Sequence, residues 1–464
     1  MRRKKEAVLA FEFNNDDLPK IVREHRAKYK RISQILDENS QILDLVHEDL
    51  KKLAEKNEKQ REGKKMGGKG RFGDFTSETI LRTLVVHAIG GDSLRETVIR
   101  IAESDFLQDF LRTRKKAVMD YSFLDKCFKV IQPDTWKQIN EVLVRQAVAR
   151  EAADPSTIRV DTTAVETNVH WPTDASLLWD TYRVAARLMR GGREVLMASC
   201  PYRFHDRKIR RLSLFITRYS ASKSKKRLRK VKQAFGTLIE RVGQIVEKAG
   251  HFCEFAEKHG HLDLLLVAAE LKAFLPSMTK VVDQARRAQL DGEKVPAAER
   301  VFSIFEPHTE LIRRGRRSKP TEFGHMVLLC QSPEKLITDY DVMEHRVADC
   351  KLTETVIDRH EQLFGQAPEV LAGDKGFCPA ADEYEELEER VETLAIPRRM
   401  RDFANAVMSQ WQAFRAGIEG TISGLKRAFR LARCFYRGFK SFATSIGLAV
   451  FSHNLVVLAR SGGT

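Results

Sequence analysis

The stretch "STIRVDTTAVETNVHW", residues 156–171, marks a change of period in the chain. Upstream of it, apolar residues recur every three or four positions, as on a helix face. Here Val, Ile and Thr crowd together, side chains that suit a pleated strand. The stretch reads as two short strands around Asp161, followed by a helix that begins near Asp174 in "TDASLLWDTYRVAARLMR". Strand signals return at "FGHMVLLCQ" (323–331) and "KLITDYDVM" (335–343). A helix over 351–364 leads to "PEVLAGDKGF", an apolar run that stops at a glycine and presents Asp374. An acidic helix, "ADEYEELEERV" (381–391), reads as a solvated face, and "ETLAIPRR" supplies a last strand. From Ala404 the chain reads as helical, with a break near "CFYRG". Strands, inserted helices, strand, helix, strand and terminal helix make an α/β domain over 154–460.

Between about 203 and 295 the pattern is of long helices. Leu228, Val231, Phe235, Leu238, Val242 and Ile245 are spaced 3, 4, 3, 4, 3, a coiled-coil-like seam. Leu271, Phe274, Met278, Val281 and Ala285 form a second stripe. Together they suggest a helical hairpin that assists assembly, or else an ordinary helical core. Upstream, residues 1–62 form a helical segment, with one amphipathic helix over 20–60. "GKKMGGKGRFG" (63–73) holds five glycines in eleven residues and reads as a linker. Residues 74–153 are helical again. Ser93 and Glu96 have capping-box spacing, and "QPDTW" (132–136) opens another helix.

The bulk numbers bound the partners. The chain has 464 residues, too many for one ordinary core, so two or three domains are expected. Lys and Arg number 80 against 64 acids, and the formal charge of +16 suggests a polyanion, nucleic acid before membrane. Seven scattered cysteines with no C-x-x-C argue against a disulfide framework and a zinc site, and fit a reducing cytosol. No 18-residue stretch reads as apolar enough to span a membrane. The basic start "MRRKKEAVLAFEFNNDD" soon meets acids and does not read as a signal peptide.

In so basic a chain, carboxylates at strand ends stand out. Asp161 sits among β-branched residues, and Asp374 closes a strand more than 200 residues later. For Asp374 two readings are open: a turn cap, since Asp and Gly are ordinary turn residues, or a metal ligand. Glu419 is one of two acids among eleven basic residues from Pro397 onward. Arg415, Glu419 and Lys426 lie four and seven residues apart, on one helix face.

On these residues the chain resembles the bacterial insertion-sequence transposases of the DDE class, which have an RNase H-like catalytic core. "VDTTAVETNVHWPTDASLLWD" resembles the first-aspartate block and "VLAGDKGF" the second. "RAGIEGTISGLKR" resembles the Arg-x3-Glu-x6-Lys signature around the catalytic glutamate. The likeness covers roughly 75–460; where the family signature has a tyrosine three residues before the arginine, this chain has Gln412. The resemblance implies that Asp161, Asp374 and Glu419 are catalytic and hold two Mg2+ or Mn2+ ions. It also implies that the protein cuts and joins DNA at the ends of a mobile element, as a homo-oligomer on paired ends, in a bacterial cytoplasm at the nucleoid. The chemistry agrees. Phosphodiester hydrolysis and strand transfer are in-line displacements, which two divalent ions roughly 4 Å apart can promote. Hard carboxylate oxygens suit magnesium or manganese.

Candidate DNA contacts are the basic clusters. Residues 203–232 hold thirteen Lys and Arg and one Asp, and include Arg227, Arg229 and Lys230. "RRGRRSK" (313–319) adds Arg316 and Arg317. Lys426, Arg430, Arg433, Arg437 and Lys440 form one stripe if the helix continues past "CFYRG". Such clusters neutralise phosphates, or else are solvated faces. Residues 74–153 are the candidate for binding the DNA ends, and the expected partners are the terminal inverted repeats and target DNA. No pattern singles out a helix-turn-helix. His308, His325, His345 and His360 are scattered and read as polar surface or core. Glu166 is a spare acid near Asp161, and Trp171 and Trp179 read as core. Two alternatives stand beside the transposase: a related nuclease or resolvase that cuts without joining, and a DNA-binding protein with an inactive core, such as a domesticated regulator.

Overall fold

The computed structural model describes residue 4 and residues 17–61, 75–113, 118–196, 203–313, 320–398 and 406–461. The expected linker at 63–73 and the pair Arg316 and Arg317 lie outside the described residues. The chain is a mixed α/β protein that divides into two compact units. One comprises Met1–Glu166 with His325–Thr464, and the other Thr167–Gly324.

The first unit begins with helices α1 (Lys20–Glu38) and α2 (Ser40–Arg61), which replace the single helix expected over 20–60. The break falls at Asn39, whose side-chain amide donates back to Ile35 O. Helices α3 (Ser77–Gly90), α4 (Leu94–Ala102), α5 (Asp105–Phe110), α6 (Tyr121–Val130) and α7 (Pro133–Ala149) follow. Helix α4 carries the expected capping box, with Ser93 and Glu96 bonding each other's backbone N–H. Helix α7 begins with proline at its first position, where a missing N–H costs nothing. Residues 157–166 then form one ten-residue strand, β1 (Thr157–Glu166), rather than two short ones. Its near-continuous burial is that of a strand covered on both faces.

The second unit holds helices α8 (Asp174–Leu196), α9 (Asp206–Tyr219), α10 (Lys225–His259) and α11 (Leu262–Gln289), then strand β2 (Glu310–Arg313). The seam on α10 is internal. Val231, Phe235, Leu238, Val242 and Ile245 are buried with Leu271, Met278 and Val281 of α11 and with residues of α8 in one cluster. Leu228, its first member, is exposed. The seam therefore packs this unit and offers no assembly surface. Trp179 packs against that cluster, but Trp171, expected in the core, is 63% exposed with its ring edge on Phe323. Strand β2 pairs antiparallel with residues 321–324 of strand β3 (Thr321–Gln331).

Strand β3 carries the chain back to the first unit, where β4 (Ile337–Val342), α12 (Thr353–Phe364), β5 (Val370–Ala372), α13 (Ala381–Arg390), β6 (Thr393–Ala395), α14 (Ala406–Ala428) and α15 (Phe439–Ser461) complete it. The strand order there is β4-β3-β1-β5-β6. β4 is antiparallel to β3, whereas β5 is parallel to both β1 and β6. Helix α15 corrects the expectation that no stretch is apolar enough for a membrane. By length and composition it is, with mean hydropathy 1.7 over an 18-residue window of which 78% is buried. Phe451 and Leu455 on one side and Phe442, Ile446 and Val450 on another pack into two clusters, as in the core helix of a globular unit.

Candidate active site

The chain leaves β1 for β3 on one side of the sheet, and later enters β5 on the other. The order thus reverses between β1 and β5, the place where open α/β sheets bind ligands. The parallel register pairs Arg159 with Ala372. Two residues further along each chain stand Asp161 and Asp374, so equal steps bring both carboxylates to the same end of this strand pair. The turn cap left open for Asp374 is also real: its Oδ1 accepts the Gly376 N–H at 2.7 Å. One oxygen is held by the turn, and the carboxylate still faces the neighbouring strand's acid electrostatically.

Helix α14 brings the third acid. It docks through an arginine that sequence reasoning did not single out. Arg159, on the same face of β1 as Asp161, is 5% exposed. It donates to Gln331 Oε1 (2.8 Å) and to the carbonyl of Phe414 (2.8 Å), and lies over the Phe414 ring. Gln331 donates in turn to Thr421 Oγ1 at 2.7 Å. The helix approaches so closely that a Cβ on Gly417 would sit 2.1 Å from the Arg159 guanidinium. Gln412, in the place of the signature tyrosine, donates to the carbonyls of Gly373 (3.0 Å) and Ala395 (3.2 Å) at the ends of β5 and β6. Ile418 and Leu425 bury the remaining contact.

Arg415 then bridges two of the acids, with Nη1 3.2 Å from Asp161 Oδ2 and Nη2 2.9 Å from Glu419 Oε1. Asp161 is mostly buried, and burial is the main reason its carboxyl is raised from 3.8 to about 6. Arg415 pulls the other way, while the negative charges of Asp374 and Glu419 push it further up. Asp374 and Glu419 are therefore each within electrostatic reach of Asp161. Glu419 itself is 62% exposed.

A fourth carboxylate, missed in the sequence, borders the group. Asp349, in the 3-10 turn Asp349–Lys351, accepts the Thr162 hydroxyl at 3.1 Å. A Cβ on Gly376 would lie 2.9 Å from Asp374 Oδ1 and 3.5 Å from Asp349 Oδ2, so the two acids flank that glycine. Its signal was weak, an acid in a turn with no strand before it. Glu166, the spare acid, is paired with Arg433 at 2.9 Å.

The carboxylate set consists of hard oxygen donors of the kind magnesium and manganese prefer. Among the described residues, however, no three His, Cys, Asp or Glu side chains stand close enough to hold one metal ion. The Arg415 bridge accounts for this between Asp161 and Glu419. Its guanidinium supplies the positive charge, and a bound cation would have to displace it from at least one acid.

The basic candidates divide. Arg227, Arg229 and Lys230 are exposed on the first turns of α10, with Arg227 over the Tyr219 ring. Lys426 and Arg430 line a cleft of about 830 Å³ with Arg95, Arg433, Tyr121 and Phe435. The expected continuous stripe is broken: α14 ends at Ala428 and Arg430 has a left-handed backbone, φ 59°. His325 and His360 are buried, His308 pairs with Glu306, and none joins the acids. Cys253, Cys330 and Cys350 are free thiols. Compared with protein-family models, curated proteins and solved structures, the chain matches none.

Proposed function

We propose that this protein is a DDE transposase with an RNase H-like core, cutting and joining DNA at the ends of an insertion sequence. The observation that carries the proposal is the approach of Asp161, Asp374 and Glu419 from β1, the end of β5 and α14, with Asp161 raised in part by the other two. A sheet with β1 at its centre, antiparallel strands on one side and parallel strands on the other, supports the fold reading. Asp161, Asp374 and Glu419 would hold one or two divalent ions. Such ions supply activation of the attacking oxygen and charge stabilisation of the leaving one.

The chain's own residues have separate tasks. Arg159, Gln331 and Gln412 fix α14 against the sheet and so set where Glu419 stands. Arg415 balances the acids and, once released from one of them, can face a phosphate with a guanidinium suited to it. The exposed cations of α9 and α10 supply sequence-independent attraction for the DNA backbone. A polyanion must approach a cluster of acids, and the chain's formal charge of +16 favours that approach.

The Arg415 bridge, which sets a guanidinium between two of the acids, favours a second reading, a DNA-binding protein with an inactive core. One experiment separates the two. The protein is incubated with a duplex carrying the sequences that flank its own gene, in Mg2+ or Mn2+ and in EDTA. Metal-dependent nicking at the element boundary, with binding retained in EDTA, supports the transposase. Binding without cleavage in either metal supports the inactive core, and no binding at all overturns both.

A further inference from the structure

The cleft of about 830 Å³ in the first unit is lined by Lys426 of α14, by Arg430 and Arg433 just past that helix, by Arg95 of α4 and by Tyr121 of α6. The elements that carry Asp161 and Glu419 both run into it. On α14, Lys426 stands seven residues beyond Glu419 and on the same helix face, roughly 10 Å along the axis at 1.5 Å per residue. Strand β1, which carries Asp161, ends at Glu166. There Glu166 N donates to Ala432 O (3.2 Å) and Cys434 N donates to Glu166 O (2.8 Å), and Ala432 and Cys434 line the cleft.

Phe128, Phe429 and Leu448 give the cleft an apolar lining, and Phe128 stacks on Tyr436 with ring centroids 4.1 Å apart. Two further rings stay at the surface, Phe435 at 61% exposed and Tyr121 at 39%. The Arg95 guanidinium lies 4.5 Å from the Tyr121 ring centroid and donates to its hydroxyl at 3.1 Å. Asp92 and Asp125 also line the cleft, but each is paired with a cation outside that lining. Asp92 holds Arg100 (2.7 Å) and Asp125 holds Lys129 (2.6 Å). Arg433 is paired with Glu166 and Arg430 lies 3.9 Å from Glu96, whereas Arg95 has no carboxylate partner among the described residues. The balance of charge around the cleft is positive. Arg430 also has a left-handed backbone, φ 59°, which penalises any residue with a Cβ. Such strain gathers at binding sites, and the 44% exposed Arg430 side chain is not held there by burial.

Exposed rings above an apolar lining, rimmed by cations, match the chemistry of an unpaired nucleic-acid strand. Each base has two faces that stack on aromatic rings or on a guanidinium, while the phosphates between bases take the cations. A duplex offers no such faces, because its bases are stacked on one another. An apolar peptide would leave the cations unmatched. We infer that this cleft binds unpaired DNA next to the reactive phosphate. Phe435 and the Tyr121–Arg95 pair take base faces, and Lys426 and Arg430 take phosphates. The strand reaches Lys426 roughly three nucleotides from Glu419, at 3.4 Å per stacked nucleotide. The inference rests on the DNA reading above and adds to it that the strand is held single beside the acids.

The test is binding by the full-length protein in EDTA, by fluorescence anisotropy, of a labelled single-stranded oligothymidylate and of a blunt duplex of equal length. Phe435→Ala should bind the single strand about tenfold more weakly, the loss of one stacked base. It should bind the duplex as wild type does, and melt at the wild-type temperature, since the ring is mostly exposed. Phe435→Trp should keep the single-strand affinity, because tryptophan also stacks. A single strand carrying 5-iodouracil, irradiated on the wild-type protein, should crosslink to peptides within 121–128 or 429–436. Wild-type single-strand affinity in Phe435→Ala, an equal loss on single strand and duplex, or crosslinks confined to α9 and α10 overturns the cleft assignment and leaves the DNA reading intact. Wild-type protein that binds neither oligonucleotide overturns both.

Discussion

Replacing Asp161 by asparagine should stabilise the protein while destroying its proposed activity. The carboxyl of Asp161 is raised from 3.8 to about 6, chiefly by burial. A raised carboxyl means the folded chain retains a proton that the unfolded chain releases between about pH 4 and 6. Stability therefore falls as pH rises through that window, and the whole cost is present above it. Roughly two pKa units at 1.36 kcal/mol each give about 3 kcal/mol at pH 8. Asp161→Asn removes the titration and keeps the shape. Its melting temperature at pH 8 should exceed that of wild type by several degrees, at roughly 2–4 °C per kcal/mol for a large domain. The gap should close as pH falls below about 4, where the carboxyl is neutral in both states. Magnesium should narrow it from the other side, by stabilising the wild type through binding. Calorimetry in EDTA and in Mg2+ at a series of pH values measures all of this. A variant less stable than wild type at pH 8, or a gap independent of pH, would refute the reasoning.

Three further outcomes follow from packing and charge. Gly417→Ala places a Cβ 2.1 Å from the Arg159 guanidinium; despite alanine's better helix propensity, it should cost about 1–3 kcal/mol and reduce cleavage by displacing α14, measured by urea melts and nicking rates. Leu238→Asp with Val242→Asp puts two charges into positions that are 0% exposed. Circular dichroism should then show loss of the helices of the second unit, and a native spectrum with lost oligomerisation would instead restore the assembly role of the seam. Neutralising Arg227, Arg229 and Lys230 to Gln should weaken binding to all duplexes alike and flatten the salt slope by about 2.7, whereas a loss confined to the cognate end would mean base readout.

Local patterning made much of the architecture legible. The capping box at Ser93 and Glu96, the strand at 323–331 and the helices from Asp174 onward depend on short-range periods and caps, and they formed as read. The β1 residues were read as two short strands around Asp161; burial on both faces keeps them in one strand. The apolar helix Phe439–Ser461 escaped because Ser, Thr, His and Asn interrupt its run, although Thr444, Ser452 and Asn454 are buried in the core. Asp161 and Asp374 were found by their places on or just past strands, and Glu419 by the basic residues at helical spacing beside it. Arg159 was not, since a buried arginine in a strand has no signature until its partners, Gln331 and the Phe414 carbonyl, are brought from 172 and 255 residues away. Asp349 was invisible for the same reason. Its relation to Thr162 and Gly376 exists only in three dimensions.

The central claim is that Asp161, Asp374 and Glu419 act as one unit on DNA, and cleavage kinetics on combined variants test it most directly. Asp161→Asn, Asp374→Asn and Glu419→Gln are made singly, in pairs and together, and nicking of the boundary duplex is timed in Mg2+. Each single change should slow cleavage on the order of 10³-fold or more, because metal-borne charge stabilisation carries most of the barrier. The triple variant should be scarcely slower than the singles, since residues acting together lose their effect together. Binding in EDTA should be unchanged throughout. Cleavage by Asp374→Asn at a near wild-type rate would contradict the account and leave that aspartate as the cap of its turn.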